Sequence, residues 1–220
     1  LKDKNYLFVD GRYTLQANNQ SGNIFKIITF PKKMPSDILK NKKFSIGFDP
    51  RLFTKETLNI FFGKNNCEYK PLNFNLIDKI WKRKIDKTLH NFYLLPKNSV
   101  GEDYKSKINK IAFHLKKNKA DFLFITSSEN NAWLLNIRGQ DTEYAPIPYS
   151  HALVNKNKEV LLFCDLKKIS HSLRRNLNRV KFINKEFLNE IISKIKLKKF
   201  ILDKNTCSFF YENLIKQNNK

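Results

Sequence analysis

The sequence predicts an α/β fold built as two successive units, and three features carry that expectation. Short apolar, β-branched or aromatic runs alternate with helix-patterned stretches over most of the 220 residues, the order that lays helices against a sheet. The stretch NKNK (155–158) between two apolar runs reads as a hairpin connection, so part of the sheet is antiparallel. A charged, weakly hydrophobic stretch (82–90) separates two such alternations and is placed as the boundary between the units.

In the first unit, 6–9 is a short β-branched and aromatic strand ended by Asp10-Gly11, a turn signal. Residues 13–20 read as a short helix. The continuous apolar run 24–30 reads as a buried strand stopped by Pro31. Pro35 opens a helix with Ile38 and Leu39 as its buried face, and 44–48 is a strand stopped by Asp49-Pro50. Thr54 caps a helix to Phe62, on which Leu58, Phe61 and Phe62 lie three or four residues apart. Gly63 is expected to end it in the left-handed region. Residues 75–81 (NLIDKIW) form a brief helix.

The second unit opens with a strand at 92–95 and a turn at 99–102. Tyr104, Ile108, Ile111, Ala112 and Leu115 mark one face of a helix, with Lys105, Lys107, Lys110, Lys116 and Lys117 assigned to its solvent side. The stretch 121–154 is the organising one: a buried strand (122–126), a helix capped by Ser127 or Ser128, a long polar loop, and a second strand (150–154). A strand at 160–164, a helix at 167–176, a strand at 180–183, a helix at 186–195, a strand at 200–202 and a helix at 206–216 complete the unit.

Composition excludes several function classes. Hydrophobic residues are 41% of the chain and fall in short runs, so no transmembrane helix is expected. The chain opens LKDKNYLFVD without a signal-peptide pattern and enters a strand almost at once; a piece of a longer protein is expected. Cys67, Cys164 and Cys207 form no CxxC pair, so neither disulfides nor structural zinc are expected, and a reducing, cytoplasmic setting fits. The formal net charge is +22. The excess is lysine, spread end to end, and accompanied by much Asn, Ile and Phe. These residues share A/T-rich codons, so the charge reads as compositional drift. No arginine stripe or aromatic-basic interleaving supports a nucleic-acid footprint.

Chemistry is sparse. There is no GxxxxGK[ST], no GxGxxG and no GxSxG. His90, His114, His151 and His171 lie far apart, with no metal-ligand spacing. His114 reads as a hydrogen-bonded structural residue near the core face. His151 reads as structural too, with a functional role as the alternative. Asp10 and Arg12 flank Gly11 and are expected to form a local turn bond. Trp133 reads as core, alongside Leu134 and Leu135. Just past that helix, Gly139 can take positive φ and admit a close neighbour, and Arg138 can reach a carboxylate or carbonyl bidentately. A bland surface arginine fits the pattern equally well.

Several ordered segments, LFVDGRYTLQA (7–17), IGFDPRLF (46–53), NLIDKIW (75–81), FYLLPKNSVGEDYKSKINKI (92–111) and above all NAWLLNIRGQDTEYAPIPYSHALV (131–154), resemble the Xaa-Pro aminopeptidase (aminopeptidase P) family in its three-domain cytosolic form. The resemblance implies two creatinase/prolidase N-terminal-like domains, each a mixed sheet flanked by helices. Residues 1–86 would be the C-terminal part of the first, which is incomplete, and 87–220 the second. The family's catalytic pita-bread domain, with its two divalent metal ions (manganese in the typical case), has no counterpart here. No catalytic, cofactor-binding or metal residue is therefore carried over, and the fragment alone is expected to be inactive.

The family's NxRGxD pattern falls on Asn136, Arg138, Gly139 and Asp141, which become candidates for an interdomain or substrate-entrance surface. The implied partners are the catalytic domain in cis, peptides with proline at the second position and, at full length, a second copy in a homodimer. Neither nucleic acid nor membrane is implied. Lys84-Ile85 stands where the family commonly has a proline after a basic residue, so the linker is expected to depart from the pattern. A stand-alone creatinase-like scaffold without peptidase activity is the alternative, and a basic nucleic-acid binder a third reading.

Overall fold

The computed structural model describes residues 4–63, 65–81 and 90–220. These fall into two compact units, Leu1–Asn75 and Leu76–Lys220. The boundary expected at 82–90 and the Lys84-Ile85 departure lie, apart from His90, outside the described residues.

The first unit is two parallel strand pairs, each closed by a helix. Strand β1 (Asn5–Asp10) runs parallel to β2 (Phe25–Phe30), with Asn5 opposite Phe25 and Asp10 opposite Phe30. A single 3-10 turn and helix α1 (Thr14–Ser21) join them. Asp10 ends β1 as expected: its Oδ1 accepts from the backbone N–H and the Nε of Arg12, both at 2.9 Å. This pair is local and exposed. Helix α2 (Pro35–Leu39) starts on its proline, and the Asp37 carboxylate accepts from the Met34 N–H at 2.8 Å.

Strand β3 (Ser45–Phe48) pairs in parallel with β4 (Glu68–Pro71), joined by α3 (Lys55–Phe62). The Thr54 hydroxyl accepts from the Thr57 N–H at 3.0 Å, the cap the sequence predicts. Edge-to-face contacts among Phe48, Phe53, Phe61, Phe62 and Phe30 supply an aromatic core. Strand β4 was not anticipated, because Tyr69 is its one large apolar residue.

Two expectations for this unit are corrected. The run 24–30 is not a buried strand throughout: Ile24 and Phe25 are exposed and Ile28 alone is fully buried. Gly63 is not left-handed, with φ −69°. Glycine is needed there for space, since a Cβ would lie 2.2 Å from Asn59 Oδ1 and 2.5 Å from the Asn59 carbonyl oxygen.

The second unit begins with α4 (Leu76–Ile80) and carries β5 (Tyr93–Leu94), α5 (Tyr104–Lys117), β6 (Phe122–Ile125), α6 (Ser128–Leu135), β7 (Ile137–Arg138), β8 (His151–Asn155) and β9 (Val160–Cys164). Helix α7 (His171–Asn176), β10 (Val180–Asn184), α8 (Leu188–Lys194), β11 (Phe200–Leu202) and α9 (Phe209–Lys216) follow. Five strands form a mixed sheet in the order β10-β9-β8-β6-β11. The outer pairs are parallel, and β8 runs antiparallel to both β9 and β6. The β8–β9 link is the expected hairpin, a four-residue loop (156–159) of the short kind that joins antiparallel strands.

Side-chain alternation along the central strands divides the core in two. Ala152, Val154, Val160, Leu162 and Cys164 face α5, α6 and α7, packing on Ile108, Leu134, Leu135, Leu173 and Leu177. Leu153, Phe163, Phe124 and Phe200 point the other way onto Leu188, Ile192 and Ile215 of α8 and α9. The expected long helices at 167–176, 186–195 and 206–216 are shorter: Ser170 and Ser208 accept from N–H groups three residues on and so set the starts of α7 and α9. A separate 3-10 turn precedes α7, and another leads directly into α8. No helix among the described residues is long and apolar enough to cross a membrane.

Candidate functional site

The 121–154 stretch is held by its polar side chains. Ser127 caps α6, its hydroxyl accepting from the Asn130 N–H at 3.3 Å. On the inner side of α6, buried Asn131 donates from Nδ2 to the Ser150 carbonyl oxygen at 2.9 Å, and the Ser150 N–H donates to Ser128 Oγ at 3.2 Å. The start of β8 is thereby tied to the helix. Asn131 Oδ1 is buried and has no partner among the described residues.

Helix α6 stops at Asn136, which takes the left-handed conformation (φ 56°, ψ 32°). Asparagine tolerates that region better than most residues. Its side chain also works in both directions: Nδ2 donates to the Glu102 carbonyl oxygen at 2.9 Å, and Oδ1 accepts from Lys107 Nζ at 2.6 Å. The same ammonium donates to the Trp133 carbonyl oxygen at 2.6 Å and stands 4.1 Å from the centroid of the Trp133 ring.

Lys107 is therefore not on the solvent side; only 5% of it is exposed. Its spacing was the available signal, because 107 follows Tyr104 by three and precedes Ile111 by four, on the apolar stripe itself. Burial pushes its pKa below the ordinary lysine value of 10.5, against the pull of the Glu102 charge. Trp133 is corrected the opposite way: 60% of it is exposed, its indole lying over the lysine rather than in the core. His114 is exposed rather than near the core face.

Past the helix, β7 pairs with β5 in a two-residue antiparallel ribbon that sets Arg138 opposite Tyr93. Arg138 reaches carbonyls, not a carboxylate: Nη1 donates to the Ile137 oxygen at 2.8 Å and the Ala132 oxygen at 3.3 Å. Gly139 does not have positive φ. It is buried, and a Cβ there would meet the Pro148 Cα at 2.9 Å and the Phe92 ring at 3.1 Å, so the close approach holds where the torsional reason does not.

Asp141 lies in a different corner. Its carboxylate pairs with Lys168, and its Oδ2 accepts from the Tyr149 N–H at 2.7 Å. Its side chain is 3% exposed. Lys168 carried no sequence signal. This pair sits in the wall of an open pocket of about 900 Å³, whose lining also includes His90, Gln140, Tyr144 and Tyr149. The four motif residues thus separate into an Asn136–Arg138 corner and an Asp141 corner, with Gly139 as the tight joint between them.

Among the described residues no group of three or more His, Cys, Asp or Glu lies close enough to hold a metal ion. His151 stacks on the ring of Phe124 and lies tilted against that of Tyr211, the three rings forming a cluster, and burial holds its pKa below the ordinary 6.5. Burial also pushes the Cys164 and Cys207 thiols up to about 12.

Residues 83–220 match the family described as Creatinase/Prolidase N-terminal domain. The chain belongs to that family. Among the chain's relatives, a Laccaria bicolor protein named "Probable Xaa-Pro aminopeptidase P" is 33% identical over 81% of this chain and 29% of its own length. The Dictyostelium discoideum "Xaa-Pro aminopeptidase 1" is 29% identical over 80% of this chain and 30% of its own. A solved Caenorhabditis elegans X-prolyl aminopeptidase, described as a cytosolic enzyme with a di-nuclear active site, superposes with a TM-score of 0.75 at 27% identity. That match covers 87% of this chain and 33% of the other. The chain therefore spans about three-tenths of the length of the curated relatives it matches, and the mixed α/β architecture is the one its family shares.

Proposed function

We propose that this chain is the non-catalytic N-terminal region of a dinuclear-metal Xaa-Pro aminopeptidase, the enzyme that removes the residue preceding proline at a peptide's N-terminus. The observation that carries this reading is likeness across 81% of the chain to about three-tenths of a protein bearing that name, with a dinuclear relative matching 87% of it. In this reading 1–86 is the end of a first creatinase-like domain and 87–220 a second one. A pita-bread domain in cis holds the two ions, manganese in the family's usual form, and the whole is a cytoplasmic homodimer. The corner formed by Asn136, Arg138 and Gly139, with Asp141 beyond it, frames the entrance for peptides with proline second.

The test compares this chain with the complete gene product on an Xaa-Pro substrate with manganese added. The complete product is expected to turn over and to lose activity to a chelator, and the 220-residue chain to show no turnover. Chelator-sensitive turnover that stays with the purified chain rejects the reading. A reading frame that supplies no metal-binding domain replaces it with that of a stand-alone scaffold. In the complete enzyme Arg138→Ala is expected to lower kcat/KM at unchanged folding; an unchanged kcat/KM removes the loop from the entrance.

A further inference from the structure

Two cations meet at the end of α6, and neither makes an ion pair among the described residues. Lys107 is buried and bonds only to neutral oxygens, those of Trp133 and Asn136. Half-buried Arg138 bonds only to the carbonyls of Ala132 and Ile137, both through Nη1. Among the described residues its Nε and Nη2 have no acceptor, although a guanidinium presents five donors. The one nearby carboxylate that acts on Lys107 most strongly, Glu102, is already engaged by Lys110 at 2.8 Å and by Ser106.

The surroundings are aromatic and open. Tyr93 stands directly opposite Arg138 in the β5–β7 ribbon, which puts both side chains on one side of it, and 46% of Tyr93 is exposed. Trp133, next in sequence to the Ala132 whose carbonyl takes the guanidinium, is 60% exposed. Its backbone is fixed by Lys107, so the ring is presented with little left to order. Exposed Trp and Tyr beside an under-used Arg is the composition of a recognition hot spot, and the free edge of a guanidinium selects the planar, two-oxygen geometry of a carboxylate.

We propose that Arg138, with Tyr93 opposite it in the β5–β7 ribbon and Trp133 exposed at the end of α6, is a binding site for a carboxylate carried by a polypeptide. The site is the Arg138 corner placed at the entrance above, but its assay reads binding without turnover, so it can fail while the peptidase reading stands. Trp81→Phe leaves Trp133 as the one tryptophan of the chain and so as the fluorescent reporter. Three probes are titrated at an ionic strength of about 0.15 M, which screens the general positive charge: Ac-Gly-Glu-Gly-amide, Ac-Gly-Gln-Gly with a free C-terminus, and Ac-Gly-Gln-Gly-amide. A saturable change with the first assigns a side-chain carboxylate, and with the second a terminal one; the neutral third is expected to give none.

Arg138→Gln is expected to weaken binding by about fivefold or more, and Lys196→Gln, on a remote lysine, to leave it unchanged. Because Arg138 also holds two carbonyls, Tyr93→Ala serves as the second variant: it disturbs neither bond and is expected to weaken binding about twofold or more. Equal responses to the acidic and neutral peptides overturn the proposal. So does an affinity that both variants leave intact, or one that Lys196→Gln lowers as much as Arg138→Gln does.

Discussion

Lys107 Nζ stands 4.1 Å from the centroid of the Trp133 ring while donating to the carbonyl oxygen of the same residue at 2.6 Å. One ammonium thereby holds both the backbone at the end of α6 and the exposed indole above it. A buried lysine without a carboxylate is tolerated because two carbonyl oxygens replace its water.

The ring contact and the backbone bond are separable. Trp133→Leu removes the first and keeps the second; Lys107→Met removes both and strands two acceptors. Lys107→Met is expected to lower unfolding stability by about 1–3 kcal/mol. A denaturant double-mutant cycle with Trp133→Leu is expected to show a coupling of about 0.5–2 kcal/mol. Zero coupling means that the indole merely lies alongside.

The same residues show how far the sequence could be read. The alternation of elements, the Thr54 and Ser127 caps, the 155–158 hairpin and the motif at 136–141 are local patterns, and the fold follows them. What failed were single placements in which residue type stood for location. Lys107 was placed outside for its charge and Trp133 inside for its size, yet each holds the other in the reverse position. Gly139 was read as a torsional glycine, while the left-handed residue is Asn136, three positions earlier. Such assignments rest on partners 26 to 29 residues away, which no window on the sequence contains.

Asn136 combines a conformational and a bonding role, and two substitutions divide them. Glycine takes φ 56° freely but loses both side-chain bonds; alanine loses the same bonds and adds left-handed strain. Asn136→Ala is expected to be less stable than Asn136→Gly by about 1 kcal/mol, and both less stable than the parent, by urea unfolding. If alanine equals glycine, the bonds alone set the choice of asparagine.

Gly139→Ala tests the joint between the two corners. The added methyl meets the backbone of Pro148 at 2.9 Å and the ring of Phe92 at 3.1 Å, and neither is the far end of a flexible side chain. Overpacking of this kind costs about 1–3 kcal/mol. The unfolding midpoint is expected to fall accordingly. An unchanged midpoint means that the 139–148 loop gives way without resistance.

The three thiols should divide by burial. Cys164 and Cys207 are fully buried, with their pKa values pushed up to about 12, so at neutral pH almost none of either is the reactive thiolate. Cys67 is partly exposed. A chromogenic disulfide reagent is expected to titrate one thiol rapidly in the native protein and three after denaturation. Fast loss of a second native thiol signals that one face of the sheet opens.

His151 gives the pH dependence its sign. Packed against Phe124 and Tyr211, its imidazole is held by burial below the ordinary 6.5, so between that lowered value and 6.5 the unfolded chain binds more protons than the native one. Stability linked to this residue is therefore full above pH 6.5 and is lost as pH falls through the folded value. His151→Phe keeps an aromatic ring in the stack and removes the titration. Subtracting the variant's stability from the parent's at each pH is expected to leave a curve that is flat above 6.5 and descends on the acid side. A difference that stays level down to pH 5, or that rises on acidification, shows that His151⁺ is accommodated beside Phe124 and Tyr211 as readily as the neutral form.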